Sequence, residues 1–519
     1  MKKIYILLIL VLFLFSCKQK TSILNYPEDV EKALNLAQDN RKELEKVLQH
    51  YANDSLKLAA AYFLIANMPG QAYYKAKLVD TSGTKVPFDV LDYPNYTQMV
   101  AAWDSIENKI GKIDYTRDTV IYDLQSIKSK FLIKNIDLAF MAWDSPWSKH
   151  LNFKQFCEYV LPYRGSNEPL EEWRENLYKQ YTYLLDSLEN INDPIEIAIK
   201  INNSLKSWYK FDARFYRHPT DLSYSQMKNY KMGRCEDMTN LAIFAMRSQG
   251  VPVMSDYVPY WPNTGNNHAW NATLNKEGKV VIFMGGLDNP YEYQLNNKKS
   301  KVYRKTFSIQ KNNLANIIPK GESIPAWLAG KHYTDVTKDY IKVTDVSVEM
   351  EKDTPDSCSF AYLCVFNSGE WKAIQWGKLK NKKATFKDMG MDIAYLPSYY
   401  RDSVIPSAPV FILNNQGEKI YYQADTTNKI DISLYSTTHR TIVKTTDEIE
   451  TAAFEDGVSY ILYYWDYQWK SVDTLISQKN QALQFKQVPS NALYWLVKKD
   501  GNKEERIFTI DKNGKQIWW

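Results

Sequence analysis

The sequence predicts a multidomain α+β protein with helices in its first third and antiparallel β structure in its last third. Apolar residues recur at i, i+3, i+4 and i+7 near the start of the chain, whereas short runs after about residue 330 are apolar at every second position. The length of 519 residues also exceeds what one hydrophobic core supports, because domains typically contain roughly 100–200 residues. We therefore expect several cores in series.

The N-terminus has the pattern of an export signal. Two lysines precede an apolar stretch over residues 4–15, which is too short to span a hydrocarbon core of ~30 Å comfortably. The stretch ends in Leu-Phe-Ser-Cys17, which resembles the lipobox of bacterial lipoproteins. We therefore predict a lipoprotein signal peptide over residues 1–17, lipidation of Cys17, and a protein held at the bacterial cell envelope by that lipid. A plain secretory signal with an incidental cysteine is the alternative, and which side of the outer membrane the protein faces stays open.

The charge and the cysteine content of the sequence bear on three questions: nucleic-acid binding, metal binding and disulfide formation. The net charge of +5 is spread over 65 basic and 60 acidic residues without a dense basic block, so we do not expect nucleic acid as a partner. We find no metal-ligand spacing and predict neither a metal nor a cofactor. Cys358 and Cys364 are too far apart along a strand-like segment, roughly 20 Å, to form a disulfide. Cys157 is interpreted as a small buried hydrophobic residue.

Residues 18–185 are predicted to form a mainly α-helical domain. Leu44, Val47 and Tyr51 follow helical spacing, and a further helical pattern covers residues 170–188. We interpret these apolar stripes as core packing.

The β-rich part contains an internal repeat that predicts two sandwich-like domains, at residues 330–430 and 431–519. The repeated pairs, offset by about 97–99 residues, include Trp371-Lys372 with Trp469-Lys470 and Phe386-Lys387 with Phe485-Lys486. Their aromatic residues could contact carbohydrate by stacking on sugar rings. The interpretation that we prefer is that they fill sandwich cores and domain interfaces.

The candidate catalytic residues lie between these two parts, in a core that we predict over residues 186–325. Gly233 indicates a tight turn, and the next residues have a helical pattern that ends at Gly250. Cys235 then lies at a helix N-terminus. Free backbone N–H groups and the helix dipole there favour a thiolate, so we expect the pKa of Cys235 to lie below its ordinary value.

A thiolate nucleophile needs a proton shuttle and an orienting group. His268 is the nearest downstream imidazole and precedes an apolar strand-like run. Asp288 follows twenty residues later, after a hairpin turn near Gly278. Two adjacent strands would bring His268 and Asp288 together.

Four ordered segments resemble the core of the transglutaminase-like superfamily, which has a papain-like fold, over about residues 190–310. They are Gly-Arg-Cys235-Glu-Asp, Arg-Ser-Gln-Gly-Val-Pro-Val, His268-Ala-Trp-Asn and Leu-Asp288-Asn-Pro. That superfamily includes protein crosslinkers, peptidases and peptide:N-glycanases and uses a Cys, His, Asp triad in this order. The resemblance implies that Cys235 is the nucleophile, His268 the general base and Asp288 the orienting group. It also implies an upstream aromatic residue that supports the oxyanion. Trp208 is our candidate, with a purely structural tryptophan as the alternative.

The resulting hypothesis is an envelope-anchored cysteine enzyme that cleaves or transfers amide acyl groups through a thioester on Cys235. Its expected substrate is a peptide, glycopeptide or protein amide, and hydrolysis is favoured because water is the commonest acceptor. The alternative is a non-catalytic envelope lipoprotein that binds or scaffolds a polysaccharide or protein ligand. An intact Cys, His and Asp argues against that alternative.

Overall fold

The structure is a computed structural model that describes residues 26–355, 358–438, 443–444, 450–501 and 505–519. The predicted signal peptide, including Cys17, lies outside these residues. Within them, no helix has the length and apolar character needed to span a membrane. The described chain is a multidomain α+β protein, as the sequence predicts, with helices first and antiparallel sheets last.

The N-terminal part is mainly helical. Its helices are α1 (Glu28–Leu36), α2 (Arg41–His50), α3 (Ser55–Ala66), α4 (Tyr96–Ile110), α5 (Asp123–Ser126), α6 (Ser129–Trp143), α7 (Phe153–Tyr159) and α8 (Arg174–Tyr181). A feature that the helical periodicity did not indicate is an antiparallel ribbon of two strands, β1 (Ala72–Asp80) and β2 (Ile113–Tyr122). The ribbon lies within the range predicted to be mainly α-helical.

The central part combines helices with an antiparallel sheet. Its helices are α9 (Pro194–Trp208), α10 (Tyr224–Tyr230), α11 (Cys235–Ser248) and α12 (Leu314–Ile317), and its strands are β3 (Lys210–Phe211), β4 (Met232–Gly233), β5 (Val253–Val258), β6 (His268–Leu274), β7 (Val280–Phe283), β8 (Tyr303–Lys305) and β9 (Tyr333–Asp335). The sheet has the order β7-β6-β5-β8-β9. Helix α11 is buried along almost its whole length and packs on this sheet.

The N-terminal helices pack directly onto the central sheet. Met254 of β5 and Ala272 of β6 share one buried apolar cluster with residues of α2 and α6, such as Val47 and Ile136. Cys157 belongs to the same cluster and is 2% exposed, as predicted for a small buried hydrophobic residue. The N-terminal helices therefore share a hydrophobic core with the central sheet and do not form a separately packed domain.

The C-terminal part contains two larger antiparallel sheets, each accompanied by shorter strand pairs. The first group is β10 (Val343–Glu349), β11 (Phe360–Asn367), β12 (Glu370–Lys378), β13 (Lys383–Gly390), β14 (Ile393–Arg401), β15 (Ser403–Pro406), β16 (Val410–Leu413) and β17 (Lys419–Tyr422). The second group is β18 (Asp425–Leu434), β19 (Val443–Lys444), β20 (Glu450–Thr451), β21 (Ser459–Trp465), β22 (Trp469–Ile476), β23 (Leu483–Ser490), β24 (Tyr494–Lys498), β25 (Ile507–Ile510) and β26 (Gln516–Trp518).

The two groups share one strand order. The larger sheets run β12-β11-β14-β16-β17 and β22-β21-β24-β25-β26, and the pairs β10-β13 and β18-β23 accompany them. The repeated sequence positions fall on equivalent strands, with Trp371 on β12 and Trp469 on β22. Trp371 also packs against Trp465 at a ring-centroid distance of 5.5 Å, and Trp465 packs against Trp469 at 5.0 Å. The two repeated tryptophans therefore pack on the same residue, Trp465.

Candidate active site

Cys235 is the first residue of α11, and two local features fix where that helix begins. Gly233 lies two residues before the first residue of the helix, and a Cβ atom there would overlap the hydroxyl of Tyr209. Asp237 in the first turn accepts a hydrogen bond from the backbone N–H of Arg234 at 3.0 Å and thereby caps the helix. The sequence thus places the cysteine at a helix N-terminus, as predicted.

The resting state of the Cys235 thiol differs from the expectation. Its side chain is buried, with 3% of the residue exposed, and its sulfur lies 3.1 Å from Oε2 of Glu236. Burial, followed by the negative charge of Glu236, raises the pKa of Cys235 well above its ordinary range. The predicted lowering of this pKa is therefore wrong: the cost of burying a thiolate outweighs the favourable helix terminus. The resting group is a neutral thiol that donates a hydrogen bond to a carboxylate.

His268 begins β6 next to this cysteine. The backbone N–H of the following residue, Ala269, acts on the sulfur and lowers the pKa of Cys235. Burial lowers the pKa of His268, while the charge of Glu236 opposes that shift. A neutral imidazole at physiological pH is the form that can accept a proton. The structure therefore brings the predicted nucleophile and the predicted base to one place.

Asp288 is not paired with His268. Among the described residues, its carboxylate makes no hydrogen bond or ion pair with the imidazole, so the expected contact is wrong for this structure. The reason lies in the chain after β7. The backbone N–H of Asp288 donates to the carbonyl of Met284 at 3.1 Å, and its carbonyl accepts from the N–H of Met284 at 2.9 Å. This tight turn, with Gly286 at a φ of +67°, folds Asp288 back onto its own strand end. A catalytic role for Asp288 stays a prediction.

Tyr293 contacts the histidine instead. Its hydroxyl lies 2.7 Å from Nε2 of His268. Burial raises the pKa of Tyr293, and the charges of Cys235 and Asp288 raise it further, so the phenol remains protonated beside both groups. Sequence reasoning missed this residue, although it lies only five positions after Asp288. Nothing in the local pattern distinguishes it from the exposed Tyr291.

Comparison with known protein families agrees with this geometry. The family profile described as the transglutaminase-like superfamily matches residues 182–282. The chain contains a transglutaminase-like domain. The matched segment includes α9, α11 and β6, and therefore Cys235 and His268, but it ends within β7 and does not reach Asp288. This family supports a cysteine-dependent acyl-transfer or hydrolytic enzyme.

The solved structures to which the chain is similar share little sequence identity with it and have low TM-scores. A candidate cysteine protease from Cytophaga hutchinsonii is 16% identical with a TM-score of 0.19, and the alignment covers 22% of this chain and 38% of that chain. Red sea bream transglutaminase is 9% identical with a TM-score of 0.21, and the alignment covers 63% of this chain and 70% of that chain. No curated protein matches the sequence significantly. The family assignment therefore depends on the profile of the transglutaminase-like domain.

Trp208, the predicted oxyanion support, is the last residue of α9. Its side chain is half-buried against the apolar cluster that contains Cys235, and its ring meets that of Tyr209 edge to face at 5.6 Å. Among the described residues its buried indole N–H has no hydrogen-bond partner, neither Cys235 nor any other group. Its role in the transglutaminase-like domain stays a prediction.

A cleft of about 1100 Å³ opens at the N-terminus of α11. Its lining includes Arg234 and Glu236 on either side of Cys235, together with Tyr216 and the two asparagines that precede His268, Asn266 and Asn267. Burial raises the pKa of Tyr216 to about 12, with the charges of Cys235 and Glu236 adding to the effect. Neither Cys235 nor His268 is among the described residues that line the cleft, although their neighbours in the chain are. Within the described ranges, no group of three or more His, Cys, Asp or Glu side chains is arranged to hold a metal ion.

Proposed function

We propose that this protein is an envelope-anchored cysteine enzyme that cleaves or transfers amide acyl groups, chiefly as a hydrolase of peptide or glycopeptide amides. The observation that supports this most directly is the junction of α11 and β6. There the Cys235 thiol, the strand that begins with His268 and a cleft of about 1100 Å³ converge within a transglutaminase-like domain. A substrate amide in that cleft would lie above the sulfur.

The chemistry follows from these groups. His268 takes the proton of the Cys235 thiol, and the resulting thiolate attacks the amide carbonyl carbon. The backbone N–H groups at the start of α11 face the developing oxyanion. As the C–N bond breaks, the imidazolium returns its proton to the leaving amine and a thioester remains on Cys235. Water then attacks the thioester with His268 again as base, which releases the acid and restores the thiol. An amine in place of water would give transamidation.

One observation favours a second candidate, a non-catalytic binding protein. Cys235 is 3% exposed with a raised pKa, and Asp288 is not paired with His268. A relative that has lost its chemistry would tolerate both features. In that case the cleft and the C-terminal sheets would bind a polysaccharide or protein ligand without turning it over.

Two measurements decide between the candidates. Wild-type protein is screened against peptide, peptidoglycan-stem and N-glycan amides, and Cys235→Ala and His268→Ala are compared on any substrate found. We expect Cys235→Ala to abolish turnover and His268→Ala to reduce it nearly as much, because the two groups act as one unit. Cys157→Ala, which changes a buried cysteine outside the cleft, is the control and should retain activity. Full activity in Cys235→Ala, or no thiol-dependent turnover of any amide, would favour the binding protein.

The proposed location has a separate test. We propose that Cys17 is lipidated and anchors the protein to the membrane, on the basis of the lipobox-like Leu-Phe-Ser-Cys17. Replacing Cys17 by Ser should leave the precursor unprocessed by the lipoprotein signal peptidase. It should also release the protein from the membrane fraction. Radiolabelled fatty acid incorporation measures this directly. Equal labelling of the Cys17→Ser protein would exclude the anchor.

A further inference from the structure

The walls of the cleft carry more positive than negative charge. The charged side chains that line it are Arg164, Arg217, Arg234, Arg247, Lys305 and Lys331 on the cationic side and Asp221 and Glu236 on the anionic side. Which of these charges face a ligand depends on how many are already paired within the protein.

Two of the arginines are paired with carboxylates. Arg234 contacts Asp221 at 2.8 Å and Glu236 at 3.4 Å, so it uses both acidic groups of the cleft. Arg164 donates to the buried carboxylate of Asp123 at 2.7 Å. Arg234 and Arg164 are therefore neutralised by direct contacts. Of the remaining cations, Lys305 interacts with Asp221 and Arg247 with Glu158 and Glu168, each without a contact within 4 Å.

The other four cations have no carboxylate within 4 Å among the described residues. Arg247 donates to backbone carbonyls, including that of Arg164 at 2.6 Å, and burial lowers its pKa to about 10, so it stays charged at neutral pH. Arg217 lies over the ring of Trp103 at 4.4 Å. Lys305 donates to the hydroxyl of Ser166, and Lys331 is exposed at the rim. An enclosed surface with unpaired cations focuses a positive potential into the cleft.

Lys305 is the cation best placed to act beside the reaction centre. It is half-buried, and its charge helps to lower the pKa of Asp221 to about 2, which places it close to the Asp221–Arg234 pair. Arg234 directly precedes Cys235. Lys305 therefore lines the same cleft as the Asp221–Arg234 pair, whose arginine precedes the nucleophile in the chain.

We propose that the cleft selects acidic peptides, with Lys305 and Ser166 binding a carboxylate beside the amide that Cys235 attacks. This inference depends on the proposed function, because an amide substrate favours a peptide over an acidic glycan. Asn266 and Asn267 line the same cleft and provide amide groups that can hydrogen-bond a peptide backbone. Lys305 is therefore a specificity residue rather than a catalytic one.

Binding is tested without catalysis, in full-length Cys235→Ala protein. Fluorescence polarisation compares two labelled peptides that are identical except for Glu or Gln at alternate positions. We expect the Glu peptide to bind about tenfold more tightly at low salt, which is the effect of one favourable charge contact, and the preference to shrink at high salt. Lys305→Gln should remove most of the preference and Lys305→Arg should retain it. Lys276→Gln, on the exposed turn between β6 and β7, is the matched control.

The outcomes separate this inference from the proposed chemistry. Equal binding of the two peptides, no binding of either up to millimolar concentration, or an undiminished preference in Lys305→Gln would overturn the acidic-peptide assignment, with the amide chemistry unaffected. Tighter binding of an oligogalacturonate than of the Glu peptide would also overturn it and assign the cleft to an acidic polysaccharide. A clear Glu preference together with an inert Cys235 would instead remove only the proposed function.

Discussion

The ring of His268 is held by a phenol where a triad ordinarily uses a carboxylate. A carboxylate on Nε2 would accept the ring proton and stabilise the imidazolium that forms during catalysis. The neutral hydroxyl of Tyr293, 2.7 Å away, can orient the ring but gives less stabilisation to its charged form. This difference fits a histidine whose pKa is already lowered by burial. We therefore propose that Tyr293 positions the predicted base, His268.

Removing this hydroxyl should weaken the base without disturbing the fold. We expect Tyr293→Phe to slow alkylation of Cys235 by iodoacetamide at neutral pH by about tenfold, because one hydrogen bond that orients the imidazole is lost. Tyr291→Phe, at a position that is 69% exposed, is the matched control and should leave the rate unchanged. Mass spectrometry resolves the labelling of Cys235 from that of the other cysteines. A larger loss in Asp288→Asn than in Tyr293→Phe would show that the working enzyme turns Asp288 towards the histidine.

The residues of the site differ in how far the sequence could predict them. Cys235 and His268 stand in ordered motifs, and the structure places the start of β6, where His268 lies, near the thiol. Their roles as nucleophile and base stay predictions. Tyr293 could not be predicted, since its selection over Tyr291 depends on a turn that only the fold creates. The burial of the thiol could not be predicted either, because the groups near it come from distant parts of the chain, such as Tyr216 and Tyr293, whose pKa values the charge of Cys235 raises.

At the scale of elements, the N-terminus of α11 illustrates two opposing effects on one thiol. The helix dipole and the free N–H groups favour an anion at Cys235. Burial and the adjacent carboxylate of Glu236 disfavour it, and these effects dominate. Glu236 therefore holds the site in a neutral resting state, and its displacement by a substrate would release the thiol for deprotonation by His268.

Replacing that carboxylate should shift the pH dependence of thiol reactivity. Glu236 raises the pKa of Cys235, so Glu236→Gln lowers it and increases the thiolate fraction at any pH below the thiol pKa. We expect the pH profile of iodoacetamide labelling to move to lower pH and the rate at pH 7 to rise several-fold. Glu277→Gln, in an exposed hairpin turn, should leave the profile in place. An unchanged or upward-shifted profile in Glu236→Gln would contradict this account of the resting state.

The elements nearest the chemistry were the most predictable. The helical pattern from Cys235 matches α11. At the start of α9, Asp193 accepts a hydrogen bond from the N–H of Ile195 at 2.9 Å and Pro194 is the first helical residue, which are the residue types that favour a helix start. The ribbon of β1 and β2 was missed because much of it is exposed and its strands are joined by a long connection. Without a strong alternation of apolar residues, a strand pair of this kind gives little local pattern.

For the whole molecule, the C-terminal sheets hold the loop that leads to His268. The buried side-chain amide of Asn367, at the end of β11, donates to the carbonyls of Trp261 at 3.0 Å and Asn266 at 2.9 Å. Arg506, before β25, is buried, donates to the backbone oxygen of Trp519 at 2.9 Å, and has its pKa lowered to about 9 by burial. It donates to the carbonyls of Pro262 in the same loop and, at 3.0 Å, Phe366 in β11. Contacts across such sequence separations could not be inferred from a repeat pattern, which predicted the sheets but not their attachment to the site.

Loosening this attachment should impair the site from a distance. We expect Arg506→Met to leave buried carbonyls unpaired, to lower the melting temperature, and to slow Cys235 alkylation by about tenfold, because small displacements of a catalytic group are costly. Hydrogen exchange should become faster over residues 261–268 but remain unchanged in α11. Lys498→Met on β24, with a side chain 43% exposed, is the control, and Asn367→Ala provides a second route to the same loop if Arg506→Met does not fold. Unchanged alkylation and exchange in both folded variants would restrict the C-terminal sheets to a role separate from catalysis. A matching loss in both would assign them the task of positioning His268.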